Sequence, residues 1–154
     1  MALCTGASPR IELPTPLEAN WQALRILQGR VDEAANRALQ TEHGLSLSEY
    51  NALAALAYSD DGGHLRQQVL ADAIPLNQSS VSRLVARLEK LGLTERYLCP
   101  TDRRGVYTQI TDVGRATVEA ARHTYLRVLK EILNDAVQDD TPAITRPLRE
   151  LVQE

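Results

Sequence analysis

Residues 78–91, QSSVSRLVARLEKL, and residues 99–111, CPTDRRGVYTQIT, carry the side chains best suited to meeting a polyanion. At about 100° per residue the first stretch divides into two faces. Val81, Leu84, Val85, Leu88 and Leu91 fall in one apolar stripe. Ser79, Ser82, Arg83, Ala86 and Lys90 lie opposite, with Gln78 at the N-terminal end and Arg87 on the flank. Small side chains let a helix approach base edges closely, and Ser, Gln and Arg then bond the edges or the phosphates. The helix N-terminus itself favours phosphate. A face kept only for solvation would carry Glu and Lys at salt-bridge spacing, whereas Glu89 is the single acid here. In the second stretch Asp102, Arg103 and Arg104 crowd a turn with Pro100 and Gly105. An arginine at a protruding tip can enter a minor groove, where narrow A·T-rich stretches attract guanidinium. A neighbouring carboxylate fixes its rotamer by planar, bidentate pairing. An exposed turn with an incidental ion pair is the competing reading of the tip alone.

The distribution of charge favours the first reading. The 154-residue chain has a formal net charge of −3, but residues 1–77 carry −4, residues 78–105 carry +3 and residues 106–154 carry −2. Local field matters more than the total for phosphate binding. With no Phe and one Trp, the core of this single domain must be aliphatic. No apolar run approaches the ~18 residues of a membrane span. Residues 1–14 lack a cationic start followed by an apolar stretch, and read as a flexible arm rather than a secretory signal. Cys4 and Cys99 are too few for a disulfide framework and read as thiols of a cytoplasmic protein. No nucleophile–base pair or phosphate loop is present, so the expectation is a protein that is not an enzyme and takes no cofactor. Glu42 and His43 are adjacent, but His64 and His123 stand alone, without a His-x-x-x-His pair or CxxC, and no metal site is expected.

The elements that must position these residues follow from caps and periodicity. "TPLE" at residues 15–18 is a capping box with the favoured proline, opening a helix to about Gln40 that Gly44 ends. Leu17, Trp21, Leu24, Leu27, Val31, Ala35 and Ala38 form its stripe, and a helix this long often meets a partner chain. "SLSE" at residues 46–49 opens a second helix through Tyr58, followed by a loop, "SDDGG". Residues 65–74 read as a short helix with Val69, Leu70 and Ala73 on one side, which Pro75 stops. Asn77 caps the helix of residues 78–91, and Gly92 closes it. Two short helices joined by a three-residue turn make a helix-turn-helix pattern. "LTERYLC" and "VYTQI" then form a β-hairpin with a long loop. Thr111 caps another long helix, whose stripe of Val118, Ala121, Tyr125, Val128, Leu129 and Ile132 runs to about Ala136. Thr141 and Pro142 open a final short helix ending near Val152.

Residues 70–114 resemble the winged helix-turn-helix of the MarR family of bacterial transcriptional regulators. The helix-turn-helix phrase, the "LEKLGLTER" exit, the "DRR" wing and the "IT..G" start of the next helix carry the resemblance, and the flanking helices extend it from about Thr15 onward. It implies a mainly α protein with a small β-hairpin wing. Residues 15–44 and 111–154 would supply interlaced dimerisation helices, and residues 45–110 the DNA-binding lobe of a single domain spanning 15–154. It implies a homodimer on a pseudo-palindromic double-stranded DNA operator, with one helix in the major groove and the wing in the flanking minor groove. Ser79, Ser82 and Arg83 then fall where bases and phosphates are met, Arg104 matches the wing arginine and Asp102 its buttress. Gln78, Ser80, Arg87 and Arg103 would touch the DNA backbone. Such proteins are typically repressors released by small phenolic or anionic ligands, for which Trp21 and Arg25 would supply an aromatic wall and an anion partner. Packing of Trp21 on the core stripe and solvation of Arg25 form the competing reading. Two alternatives remain: a thiol-sensing repressor, although neither Cys4 nor Cys99 matches the family's sensor position, and a winged-helix protein-interaction module without DNA binding. Steep salt dependence separates the last from a DNA binder.

Overall fold

Both capping boxes form as the sequence indicates. Thr15 Oγ1 accepts from the Glu18 amide while the Glu18 carboxylate accepts from the Thr15 amide at 2.7 Å, opening α1, Pro16–His43. Hydrogen bonds from the Thr15 backbone and hydroxyl hold the Glu18 carboxyl below the usual range. Gly44, at φ 67°, closes α1 in the left-handed conformation that glycine adopts without a Cβ penalty. Ser46 and Glu49 repeat the arrangement at the start of α2, Leu47–Ala57. The computed structural model describes residues 15–74, 78–97 and 105–138. The flexible-arm reading of residues 1–14, the Asn77 cap, the final helix, Cys4, Cys99 and the wing tip with Asp102, Arg103 and Arg104 lie outside them.

After α2 the chain forms β1, His64–Arg66, then α3, Gln67–Ala73, α4, Gln78–Lys90, β2, Thr94–Tyr97, β3, Tyr107–Ile110, and α5, Asp112–Gln138. The wing is thus a three-stranded antiparallel sheet in the order β1-β3-β2, not a bare hairpin. His64 opposes Gln109 and Arg66 opposes Tyr107, while Thr94 opposes Ile110 and Tyr97 opposes Tyr107. Residues read as the start of a helix, Leu65 and Arg66, are spent on this edge strand. On α3 the buried face runs through Leu70 and Ile74, while Val69 and Ala73, expected beside Leu70, fall to one side of it and are exposed.

The core lies where α2, α3, α4 and the sheet meet α5 and the C-terminal part of α1. Leu39, Leu45, Leu53, Leu56, Leu70, Val81, Leu88 and Val118 are its fully buried large side chains. A ring stack of Tyr50 on Tyr125, centroids 4.9 Å apart, joins α2 to α5. Burial pushes the Tyr50 phenol up to about 12. A phenol whose value rises from 10 to about 12 on folding stabilises the protein fully below pH 10 and ceases to do so as the pH climbs through about 12. Urea unfolding followed from pH 8 to 12.5 should therefore show stability falling above pH 10, and Tyr50→Phe should flatten much of that fall. An unchanged profile in the variant would assign the alkaline loss elsewhere.

At its N-terminal half α1 has a different neighbour. Ala23 and Leu27 pack on Ile132, Leu133, Ala136 and Val137 of α5. Leu17, Trp21 and Leu24, on the stripe expected to meet the core or a partner chain, are exposed in the single chain, whereas Leu27 on its flank and Ala35 further along are buried.

Candidate nucleic-acid interface

Helix α4 seats itself by Val81, Leu84 and Leu88, all buried, with Val85 half-buried beside them. Leu91, expected to extend the stripe, is 47% exposed, because the helix has already turned into its Gly92 cap. The amides of Gly92 and Leu93 return to the Glu89 and Leu88 carbonyls at 3.0 Å, satisfying the last turn. With the apolar stripe inward, Ser79, Ser82, Arg83, Ala86, Arg87 and Lys90 are exposed and Ser80 is half-buried, so the polar face read from the sequence faces outward. Among the described residues Arg83 forms no ion pair, whereas Arg87 Nε is bonded to Glu49 Oε1. Arg96 on β2 reaches back to Glu89 at 3.4 Å, tying the wing to the exit of α4.

Beside this face the outer surface of the sheet carries a cluster that the sequence reading did not single out. His64 stacks on Tyr97 with centroids 4.6 Å apart, and Tyr97 meets Tyr107 edge-on at 6.3 Å. Arg66 Nε donates to the Tyr107 hydroxyl at 2.9 Å and its guanidinium lies 5.6 Å from that ring's centre. The alternation His64-Leu65-Arg66, out-in-out, was the available signal, but three residues are too few for a period-2 pattern to stand out. Gly105 fits because a Cβ there would come within 3.1 Å of the Tyr107 ring. The cluster therefore anchors the base of the wing.

Residues 43–105, from the end of α1 through the helix-turn-helix and β2, match the MarR family. The chain is 29% identical to the HTH-type transcriptional regulator YdgJ of Bacillus subtilis (strain 168) over 112 residues, 73% of this chain and 66% of YdgJ. It is 32% identical to YdcH of the same organism over 102 residues, 66% of each. The structure superposes on Sco3205, a MarR family transcriptional regulator from Streptomyces coelicolor solved in complex with DNA, with a TM-score of 0.72 and 27% identity. That match covers 92% of this chain and 87% of Sco3205. The chain belongs to the MarR family of transcriptional regulators.

The chain spans 66% of the length of YdgJ and of YdcH. Within this MarR chain the pair considered for metal, Glu42 and His43, is engaged otherwise. Buried Thr124 donates from Oγ1 to Glu42 Oε2 at 2.8 Å and lies 2.8 Å from His43 Nε2, and Arg127 donates to Glu42 Oε1 at 2.5 Å. Those bonds from Thr124 and then Arg127 lower the Glu42 carboxyl below its usual range. No group of three or more His, Cys, Asp or Glu suited to a metal occurs among the described residues. No helix among them is long and apolar enough to cross a membrane. Trp21 and Arg25 sit one turn apart on α1, both exposed.

Proposed function

We propose that the protein is a homodimeric, cytoplasmic, sequence-specific regulator that binds a pseudo-palindromic double-stranded DNA operator as a repressor and is released by a small phenolic or anionic effector. The observation that carries this reading is the outward polar face of α4, Ser79, Ser82 and Arg83, set beside a wing sheet that is braced by Arg66 and Tyr107. On this reading α4 lies in the major groove, with Gln78 and Ser80 near the backbone. Arg104, buttressed by Asp102, and Arg103 reach the adjacent minor groove. Helices α1 and α5 form the dimer, and residues 45–110 are the DNA-binding lobe.

Selection of sites from random duplex DNA tests it. Wild type should enrich a near-palindrome with half-sites about one helical turn apart, and Arg104→Ala should weaken binding by about tenfold or more. No enrichment by folded, dimeric wild type would favour the protein-interaction module instead. The effector part has its own readout, because Trp21 is the only tryptophan. A phenolic or anionic compound that releases the operator should quench its fluorescence, and release with no spectral change would remove Trp21 from the ligand site.

A further inference from the structure

We infer that Arg87 is a positioning residue, held by the buried Glu49 carboxylate to fix α4 against α2, and does not neutralise a DNA phosphate. The inference rests on the DNA-binding reading above and reassigns one residue of its expected contact set. Glu49 is 4% exposed and its two carboxylate oxygens have different tasks. Oε2 accepts from the Ser46 amide at 2.8 Å, closing the cap of α2, and Oε1 accepts from Arg87 Nε. A desolvated carboxylate stripped of its cation is strongly unfavourable. A phosphate that drew Arg87 away would therefore leave a buried negative charge next to the DNA. Held as it is, the pair is neutral as a unit, so it brings no net cation to the duplex even though the Arg87 side chain is 56% exposed.

The geometry of the helix makes the pairing consequential. Leu84 and Leu88 seat α4 through apolar contacts, which set depth but tolerate rotation about the helix axis. Arg87 lies on the flank of that stripe, where a directional bond to α2 opposes rotation. Arg83, one turn earlier, points outward with no ion pair among the described residues. The two arginines thus divide the work: one meets the DNA and the other sets the angle at which it is met.

The selected duplex, titrated across salt with wild type, Arg83→Gln, Arg87→Gln, Arg87→Lys, Glu49→Gln and the Glu49→Gln/Arg87→Gln pair, decides the matter. A phosphate contact contributes about 0.9 to the slope of log K against log salt, and Arg83→Gln, which removes one such contact in each protomer of the dimer, should lose about twice that amount. Arg87→Gln should weaken binding by about tenfold with the wild-type slope, Glu49→Gln should weaken it by a similar factor, and the double variant should be no weaker than either. Arg87→Lys should be as weak as Arg87→Gln, because an ammonium keeps the charge but not the planar donor geometry. A slope reduced by about 1.8 in Arg87→Gln, one contact per protomer, with binding restored in Arg87→Lys would overturn the inference. So would Glu49→Gln binding as tightly as wild type. Wild type that selects no duplex would bring down the DNA-binding reading and this inference with it. Should Glu49→Gln fail to fold by circular dichroism, the Arg87→Gln and Arg87→Lys comparison decides alone.

Discussion

Replacing Trp21 and Leu24 together by aspartate is expected to yield a folded monomer that binds its operator at least about a hundredfold more weakly, since joining two half-site contacts gains factors of that order. Leu17, Trp21 and Leu24 are 78%, 62% and 46% exposed, yet they continue the stripe that Ala35 and Leu39 bury completely further along α1. Contiguous exposed apolar surface of this kind is uncommon on monomers and marks an interface. The other flank of the same segment is already spent, since Ala23 and Leu27 pack on the C-terminal half of α5. A second copy related by a two-fold axis covers such a stripe with its own equivalent, and it sets the two α4 helices at a fixed spacing. Because the substituted side chains are exposed in the single chain, the cost of the substitution falls on association rather than on folding. Light scattering and titration of the selected duplex check both halves of the statement. A double variant that stays dimeric and binds like wild type would place the interface elsewhere.

The helices were legible in the sequence because their signals are local. Both capping boxes, Pro16 and Gly44 act within one turn, and the inward stripe of α4 follows from spacing alone. Strand β1 was hidden because its partner is β3, some forty residues on, and a three-residue edge strand has almost no pattern of its own. On α3 the sequence groups Val69 and Ala73 with Leu70, and in so short a helix nothing local shows that the buried face runs through Leu70 and Ile74 instead. The candidate site divides in the same way. That α4 turns Ser82 and Arg83 outward was readable from periodicity, whereas the second bond of Glu49 was not. Its role in the "SLSE" cap accounts for the residue fully at the level of sequence, and only the tertiary structure brings Arg87 to its other oxygen. Trp21 is the opposite case, since spacing puts it on one stripe with Ala35 and the single chain leaves it exposed.

Gly114→Ala is expected to cost about 3 kcal/mol of stability, the upper range for forcing atoms into a packed site. Gly114 lies in the first turn of α5, directly over the segment that leaves α4. A Cβ there would come within 2.1 Å of the Leu93 carbonyl oxygen and 2.8 Å of Ile110 Cγ1. The oxygen cannot withdraw freely, because it accepts from the Thr111 amide at 3.1 Å. Thr111 is itself fixed, donating from Oγ1 to the Gly92 carbonyl at 2.8 Å and accepting from the Gly114 amide at 3.0 Å. Relief of the clash must therefore shift the start of α5, the exit of α4 or β2, which are the parts that hold the recognition helix against the wing. Gly29→Ala supplies the contrast, since it lies in the interior of α1 with nothing within 4 Å of the added Cβ. There the gain in helix propensity should stabilise the protein by up to about 1 kcal/mol. Denaturant unfolding at one fixed protomer concentration should rank Gly29→Ala above wild type and Gly114→Ala far below it. Near-equal midpoints for wild type and Gly114→Ala would mean that α5 slides over Leu93 at little cost, and that the junction does not hold the wing and recognition helix in register.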